Sequence, residues 1–131
     1  MQIHQSAEDY LETILMLSQR MGRVRSIDVV NELGYTKASV SIAMKKLREN
    51  GYIAVDGEGN LTLLEPGREI AERIYSRHRL LTHFFVQLGV DEAVAAEDAC
   101  KAEHILSEQT LEKIREYALL HDAQDSLKPQ E

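Results

Sequence analysis

Cys100, the single cysteine of the chain, is followed by Glu103 and His104 in the stretch DACKAEHIL. On an α-helix, residues three and four apart share one face, so this spacing lets a thiolate, a carboxylate and an imidazole converge on one point. Donors of those three kinds make a set of metal ligands. Two other places offer partners: Asp9 and Glu12, one turn apart near the N-terminus, and His78 in RIYSRHRLL. Six donors on three helices are enough for one octahedral ion, or for two ions sharing a bridging carboxylate.

Each residue also has a plainer role open to it. Asp9 stands three residues after Ser6 and could complete a capping box. Glu12 could be a solvated helix residue, Cys100 a small core hydrophobe, His78 a surface cation, and Glu103 with His104 a charged patch. Singly those roles win; the combination is what favours a metal centre. Two other chemistries use the same residues. Beside His104, Cys100 could be a low-pKa thiol that switches on oxidation, which would make the protein a redox sensor. Cys100 as nucleophile with His104 as base would make it an enzyme, but two positions on one helix supply neither a substrate cleft nor oxyanion donors, so no enzyme is expected.

The helices that must carry these donors can be read from apolar spacing. SAEDYLETILMLSQRMG has Leu11, Ile14, Leu15, Leu17 and Met21 in helical phase, with Ser6 as N-cap and Gly22 as stop. SIDVVNELG predicts a short second helix from an N-cap at Ser26 to Gly34, with Ile27, Val30 and Leu33 inward. After Tyr35 and Thr36, KASVSIAMKKLRENG predicts a third, with Val40, Ala43, Met44 and Leu47 inward and Gly51 closing it. Two helices joined by a short turn that begins with Gly form a helix-turn-helix. YIAVDGEGNLTLL then alternates around Asp56 to Asn60, as a β-hairpin does. Helix, helix-turn-helix and hairpin, in that order, make a winged helix.

Beyond the hairpin, EPGREIAERIYSRHRLLTHFFVQLG predicts a long helix with Ile70, Ile74, Leu81, Phe84, Phe85 and Leu88 on one side. Two shorter amphipathic helices follow, capped by Asp91 and Ser107. They cannot bury their stripes alone and are expected to pack together and against a second copy. From His121 onward the chain reads as a polar, frayed tail. The fold class is therefore mainly α with a small β-hairpin, as a winged helix-turn-helix over 1–64 and a helical metal-binding and dimerisation domain over 65–131.

The net charge of -7, taken over the whole chain, argues against nucleic acid, which is bound through Lys and Arg. The acid is concentrated in the second half, however. From Arg20 to Arg48 the basic residues Arg20, Arg23, Arg25, Lys37, Lys45, Lys46 and Arg48 meet only Asp28 and Glu32, a plausible basic face. A lone cysteine cannot close an internal disulfide, which fits a reducing cytoplasm. Acid at Glu8, Asp9 and Glu12 argues against a signal peptide, and no apolar run approaches the roughly 20 residues of a membrane span.

SAEDYLETI, the helix-turn-helix SIDVVNELGYTKASVSIAMKKLRENGYI, RHRLL and DACKAEHILS together resemble the diphtheria-toxin-repressor family of metalloregulators, and most closely its short manganese-regulator branch. The resemblance implies a homodimer that binds a palindromic operator in double-stranded DNA, usually to repress, with a metal between the first helix and the dimerisation helices. It places the ligands on Asp9, Glu12, His78, Cys100, Glu103 and His104. The manganese branch usually has glutamate where this chain has Cys100; cysteine there is typical of the iron-responsive branch. That branch, however, has methionine in place of Asp9 and no match to Glu12, and its ancillary-site acid and histidine fall on Thr82 and Ala96, neither of which can serve. Hard carboxylates suit Mn(II), whereas a thiolate favours Fe(II), Co(II) or Zn(II). Mn(II) is the preferred reading and Fe(II) the alternative, and the backbone carbonyl of residue 100 could serve instead of its thiol.

Base contact is expected from the start of the third helix, at Thr36, Lys37, Ala38, Ser39 and Ser41. Lys45, Lys46, Arg25 and the wing residues Gly57, Gly59 and Asn60 would touch phosphates. With no Arg, Asn or Gln early in that helix, shape and dimer spacing would carry much of the specificity.

Overall fold

The computed structural model describes residues 5–127, with side chains described through Ala123. The chain divides into two compact units, residues 1–74 and 75–131. Their elements form a winged helix-turn-helix followed by a helical domain, the fold class expected from the sequence.

In the first unit α1 (Gln5–Met21) buries Tyr10, Leu11, Ile14, Leu15 and Leu17 along one stripe. Gly22, at φ +83°, ends it with its N–H on the Ser18 carbonyl at 2.9 Å. Ser6 lies inside α1 rather than at its cap, which removes the capping-box role considered for Asp9. α2 (Ser26–Leu33) starts one residue earlier in its cap than the sequence suggests: Arg25 is the N-cap, and its backbone N–H donates to the Asp28 carboxylate at 2.9 Å. Val29 is accordingly the residue driven fully inside, while Ile27 is exposed.

Gly34 adopts the left-handed conformation that a helix C-terminus favours in glycine, and its N–H reaches the Val30 carbonyl. Two residues later Thr36 caps α3 (Lys37–Glu49) by accepting the Ser39 N–H at 3.1 Å. α3 turns Val40, Met44 and Leu47 inward. β1 (Ile53–Val55) and β2 (Leu61–Leu63) pair antiparallel, with Ile53 opposite Leu63 and Val55 opposite Leu61. The hairpin tip is organised by Asp56, whose Oδ1 accepts the Glu58 and Asn60 N–H groups at 2.9 Å and whose Oδ2 accepts the Asn60 side-chain amide at 3.0 Å. Leu61 N–H donates to the Val24 carbonyl at 2.7 Å, which ties this wing to the start of α2.

α4 (Glu65–Gln87) begins in the first unit and continues into the second. Near its start a Cβ on Gly67 would lie 2.2 Å from the Tyr52 carbonyl oxygen, so only glycine fits there. In the second unit α5 (Glu92–Ala102) and α6 (Glu108–Leu127) enclose a core of Leu81, Ala99 and Leu111, flanked by Leu80, Phe85, Ala102, Leu106 and Ile114. Ser107 Oγ accepts the Thr110 N–H at 3.2 Å and caps α6. Leu88, placed on the apolar stripe by its spacing, stands past the end of α4 and is exposed.

Helix α6 runs seven residues past Leu120, through the start of the stretch that the sequence marks as a frayed tail from His121. Asp122 gives the reason: its carboxylate holds His83 Nε2 at 3.0 Å and accepts the Gln87 amide at 2.9 Å, both from α4. Residues 128–131, the rest of that tail, lie outside the described residues. Among the described residues no helix is long and apolar enough to cross a membrane.

Candidate metal centre and nucleic-acid interface

Within the second unit His78, Cys100 and Glu103 come together. One donor atom of each, imidazole nitrogen, thiol sulfur and carboxylate oxygen, lies within 4.8 Å of the others. His78 is carried by α4 and Cys100 by the last turn of α5. Glu103 and His104 are not on α5, where their spacing from Cys100 places them, because that helix ends at Ala102. Glu103 still keeps helical dihedral angles and donates its N–H to the Ala99 carbonyl at 2.9 Å. It therefore remains on the Cys100 face, while His104 is carried by the turn beyond it.

Glu103 is fully buried at 0% exposure, and the His104 side chain is 1% exposed. Glu103 Oε2 sits 3.0 Å from His78 Nδ1. Its Oε1 has no hydrogen bond among the described residues and lies 3.5 Å from His104 Nε2. A carboxylate taken out of water demands a cationic or hydrogen-bonding partner for each oxygen. Two imidazoles, a thiol and a buried carboxylate with an unspent oxygen fit a divalent transition-metal ion. Thr82 spends its hydroxyl on the His78 carbonyl at 2.8 Å, and with Ala96 it offers no ancillary donor.

Asp9 and Glu12 belong to the first unit. They stand three residues apart on α1, Asp9 half-buried and Glu12 4% exposed. In the same unit Thr36, Lys37, Ala38, Ser39, Ser41, Lys45 and Lys46 are all exposed, as is Arg25. Among the described residues no carboxylate lies within ion-pair distance of Lys37, Lys45 or Lys46, whereas Arg20 pairs with Glu32 at 3.0 Å and Arg23 meets Glu58 at 4.0 Å. The Arg25 guanidinium lies against the wing, where a Cβ on Gly59 would come within 3.3 Å of it. Gly57 is at the exposed tip and Asn60 is half-buried in the Asp56 network. The hydrogen bonds to Asp56, the Asn60 side chain's first, hold its carboxyl below the usual carboxylate range.

Two residues to which the sequence assigns no role of their own stand out. Ile42 is 58% exposed on α3, on the side opposite Val40, Met44 and Leu47, and one turn from Ala38 and Lys45. The phase of the buried residues could have flagged it. Arg77, beside His78, donates to the Glu103 carbonyl at 3.2 Å, a contact no local spacing announces.

Residues 2–61 match the N-terminal DNA binding domain of the iron dependent repressor family, and residues 64–121 match that family's metal binding and dimerisation domain. An uncharacterised HTH-type transcriptional regulator of Methanocaldococcus jannaschii is 36% identical over 113 residues, covering 85% of this chain and 90% of that one. The HTH-type transcriptional regulator MntR of Bacillus subtilis is 32% identical over 123 residues, covering 94% and 87%. Among solved structures, a manganese-dependent transcriptional repressor in complex with manganese matches with a TM-score of 0.77 at 29% identity, over 86% of this chain and 52% of that one. The manganese regulator SloR matches with a TM-score of 0.74 at 25% identity, over 89% and 54%. The chain thus spans about half the length of these solved regulators.

Proposed function

Because the chain belongs to the diphtheria-toxin-repressor family, in its manganese-regulator branch, we propose that it represses transcription from a palindromic operator as a homodimer when Mn(II) is bound. At the level of the family it is a metal-dependent, DNA-binding transcriptional regulator and not an enzyme. The observation that carries the proposal is the buried Glu103 carboxylate between His78 and His104, with the Cys100 thiol at its side. Asp9 and Glu12 of α1 complete the ligand set. Residues 1–64 read DNA, and residues 65–131 hold the metal and form the dimer in a reducing cytoplasm.

A divalent cation supplies the positive charge that the carboxylates of Asp9, Glu12 and Glu103 lack, and ends their mutual repulsion. Asp9 and Glu12 do the rest of the work through packing. They lie on α1, which shares a core with α2 and α3, so fixing their carboxylates fixes the recognition helix. Coupling of this kind is typically worth about 1–3 kcal/mol per effector, and two occupied subunits multiply its effect on operator affinity. The carboxylates favour Mn(II), while the Cys100 thiol keeps Fe(II) as the alternative. A second copy is supported by the apolar residues that the helical unit leaves outside, among them Val86, Ile105, Tyr117, Leu119 and Leu120.

Thr36, Lys37, Ala38, Ser39 and Ser41 face bases, and Arg25, Lys45, Lys46 and the wing at Gly57, Gly59 and Asn60 face phosphates. Selection of duplexes from a random pool, with Mn(II) and with chelator, tests the proposal. An inverted repeat with half-sites on one face of the duplex should emerge only with Mn(II). Lys46→Ala should then weaken binding to every sequence and lower the salt slope by about 1. Recovery of the same sequences in chelator would overturn the proposal.

A further inference from the structure

Glu103 is gripped at both ends by two successive residues of α4. His78 takes its carboxylate at 3.0 Å, and Arg77 Nη1 donates to its backbone carbonyl at 3.2 Å. The other arm of the same guanidinium pairs with the Glu108 carboxylate, on the first residue of α6. The Arg77 side chain is 13% exposed, whereas that of Glu108 is 80% exposed. One mostly buried cation therefore joins three pieces of the helical unit: α4, the turn after α5 and the start of α6.

We propose that Arg77, backed by Glu108, is a positioning residue that sets the affinity of the centre for divalent metal. The inference rests on the metal-binding reading above and deepens it. Its physical basis is the ending of α5 at Ala102. The last carbonyls of a helix lack partners within it, and a turn whose carbonyls are unheld is free to twist about φ and ψ. Both Glu103 and His104 depend on that turn for where their side chains are aimed. The charge-assisted bond from Arg77 satisfies the Glu103 carbonyl and fixes the peptide that joins the two residues. Glu108 in turn holds the guanidinium in its plane, so the start of α6 takes part in aiming the donors. Arginine is suited to this place because its planar fork serves a carbonyl and a carboxylate at once; lysine reaches only one of them rigidly.

The experiment compares the full chain with Arg77→Met, Arg77→Lys and Glu108→Gln. Mn(II) affinity is measured by competition with a fluorescent chelator, the visible spectrum of the Co(II)-loaded protein is recorded, and amide exchange over residues 103–108 is followed without metal. Loss of an outer partner of a metal ligand costs about 10–100-fold in affinity, and Arg77→Met should fall in that range. It should also speed exchange in the turn and alter the Co(II) bands, while Arg77→Lys recovers part of the affinity and Glu108→Gln loses only a few-fold. If Arg77→Met does not fold, Arg77→Lys and Glu108→Gln decide alone, and wild-type affinity with an unchanged spectrum in both overturns the proposal. Arg77→Met that folds and binds Mn(II) as the wild type does overturns it as well. A wild-type chain that binds neither ion sinks the metal-binding reading itself, and this inference with it.

Discussion

His78 on α4 and Glu103 beyond the end of α5 stand with Nδ1 and Oε2 3.0 Å apart, and the carboxylate is wholly removed from solvent. A buried carboxylate with one oxygen unspent is a cost to the folded chain unless something cationic meets it.

Glu103→Gln keeps the shape and removes that charge. The variant without metal should be at least as stable as the wild type, because the desolvated charge is gone. With Mn(II) at about 100 times its dissociation constant the wild type should gain about 2.7 kcal/mol, and the variant almost nothing. Melting curves with and without Mn(II) check both halves. A variant that melts lower without metal, yet rises with Mn(II) as the wild type does, would show that Glu103 is a structural residue.

Much of this was legible in the sequence, because apolar residues at helical spacing and alternating residues at the hairpin report burial directly. The start of α2 differs from its spacing because Asp28 bonds the Arg25 backbone and takes the capping role from Ser26. The end of α5 is hidden in the sequence because Glu103 carries helical angles one residue past the helix, so its spacing from Cys100 looks the same either way. The length of α6 and the role of Arg77 could not be read at all. Each depends on partners far along the chain, Asp122 on His83 and Arg77 on Glu103 and Glu108, and no local pattern encodes such pairs.

On the proposed reading, Cys100 sets which ions the centre prefers. Thiolate is a soft donor and contributes more to Zn(II) or Co(II) than to Mn(II). Cys100→Ser should hold Mn(II) affinity within a few-fold, weaken Zn(II) by an order of magnitude or more, and abolish any sulfur-to-metal charge-transfer band in the Co(II) spectrum. A wild-type Co(II) spectrum without that band, unchanged in Cys100→Ser, would exclude the thiol as ligand. Loss of all DNA binding in that variant, together with sensitivity of the wild type to peroxide but not to chelator, would favour a redox sensor.

Asp56 makes wing order depend on pH. The Asn60 side chain, then the backbone N–H groups, pull its carboxyl below the ordinary range. A lowered folded-state value means that the contribution is complete above the ordinary carboxylate range and is lost as pH falls through the lowered value. The wing should therefore be unaffected near neutral pH and loosen only in strong acid. Asp56→Ala should show that loosening at pH 7, as faster amide exchange at Glu58 and Asn60 and several-fold weaker DNA binding. Unchanged exchange would mean that the strands alone order the tip.

Gly67 is required by the approach of the Tyr52 carbonyl. Gly67→Ala must displace backbone, so the first unit should lose about 1–3 kcal/mol, in the range of overpacking. Gly57→Ala, at a position with nothing within 4 Å, should be nearly neutral. Denaturant titration of both variants checks the contrast, and equal losses would contradict it.

The central claim is that metal binding and DNA binding are one linked event. Its most direct test is fluorescence anisotropy of a labelled duplex from the gene's upstream region, titrated with protein in chelator and then with Mn(II), anaerobic Fe(II) or Zn(II). Affinity should rise about thirtyfold or more with Mn(II), as two couplings of about 1–3 kcal/mol would give, and Asp9→Ala should erase the rise. Equal affinity in chelator and in Mn(II) would contradict the claim.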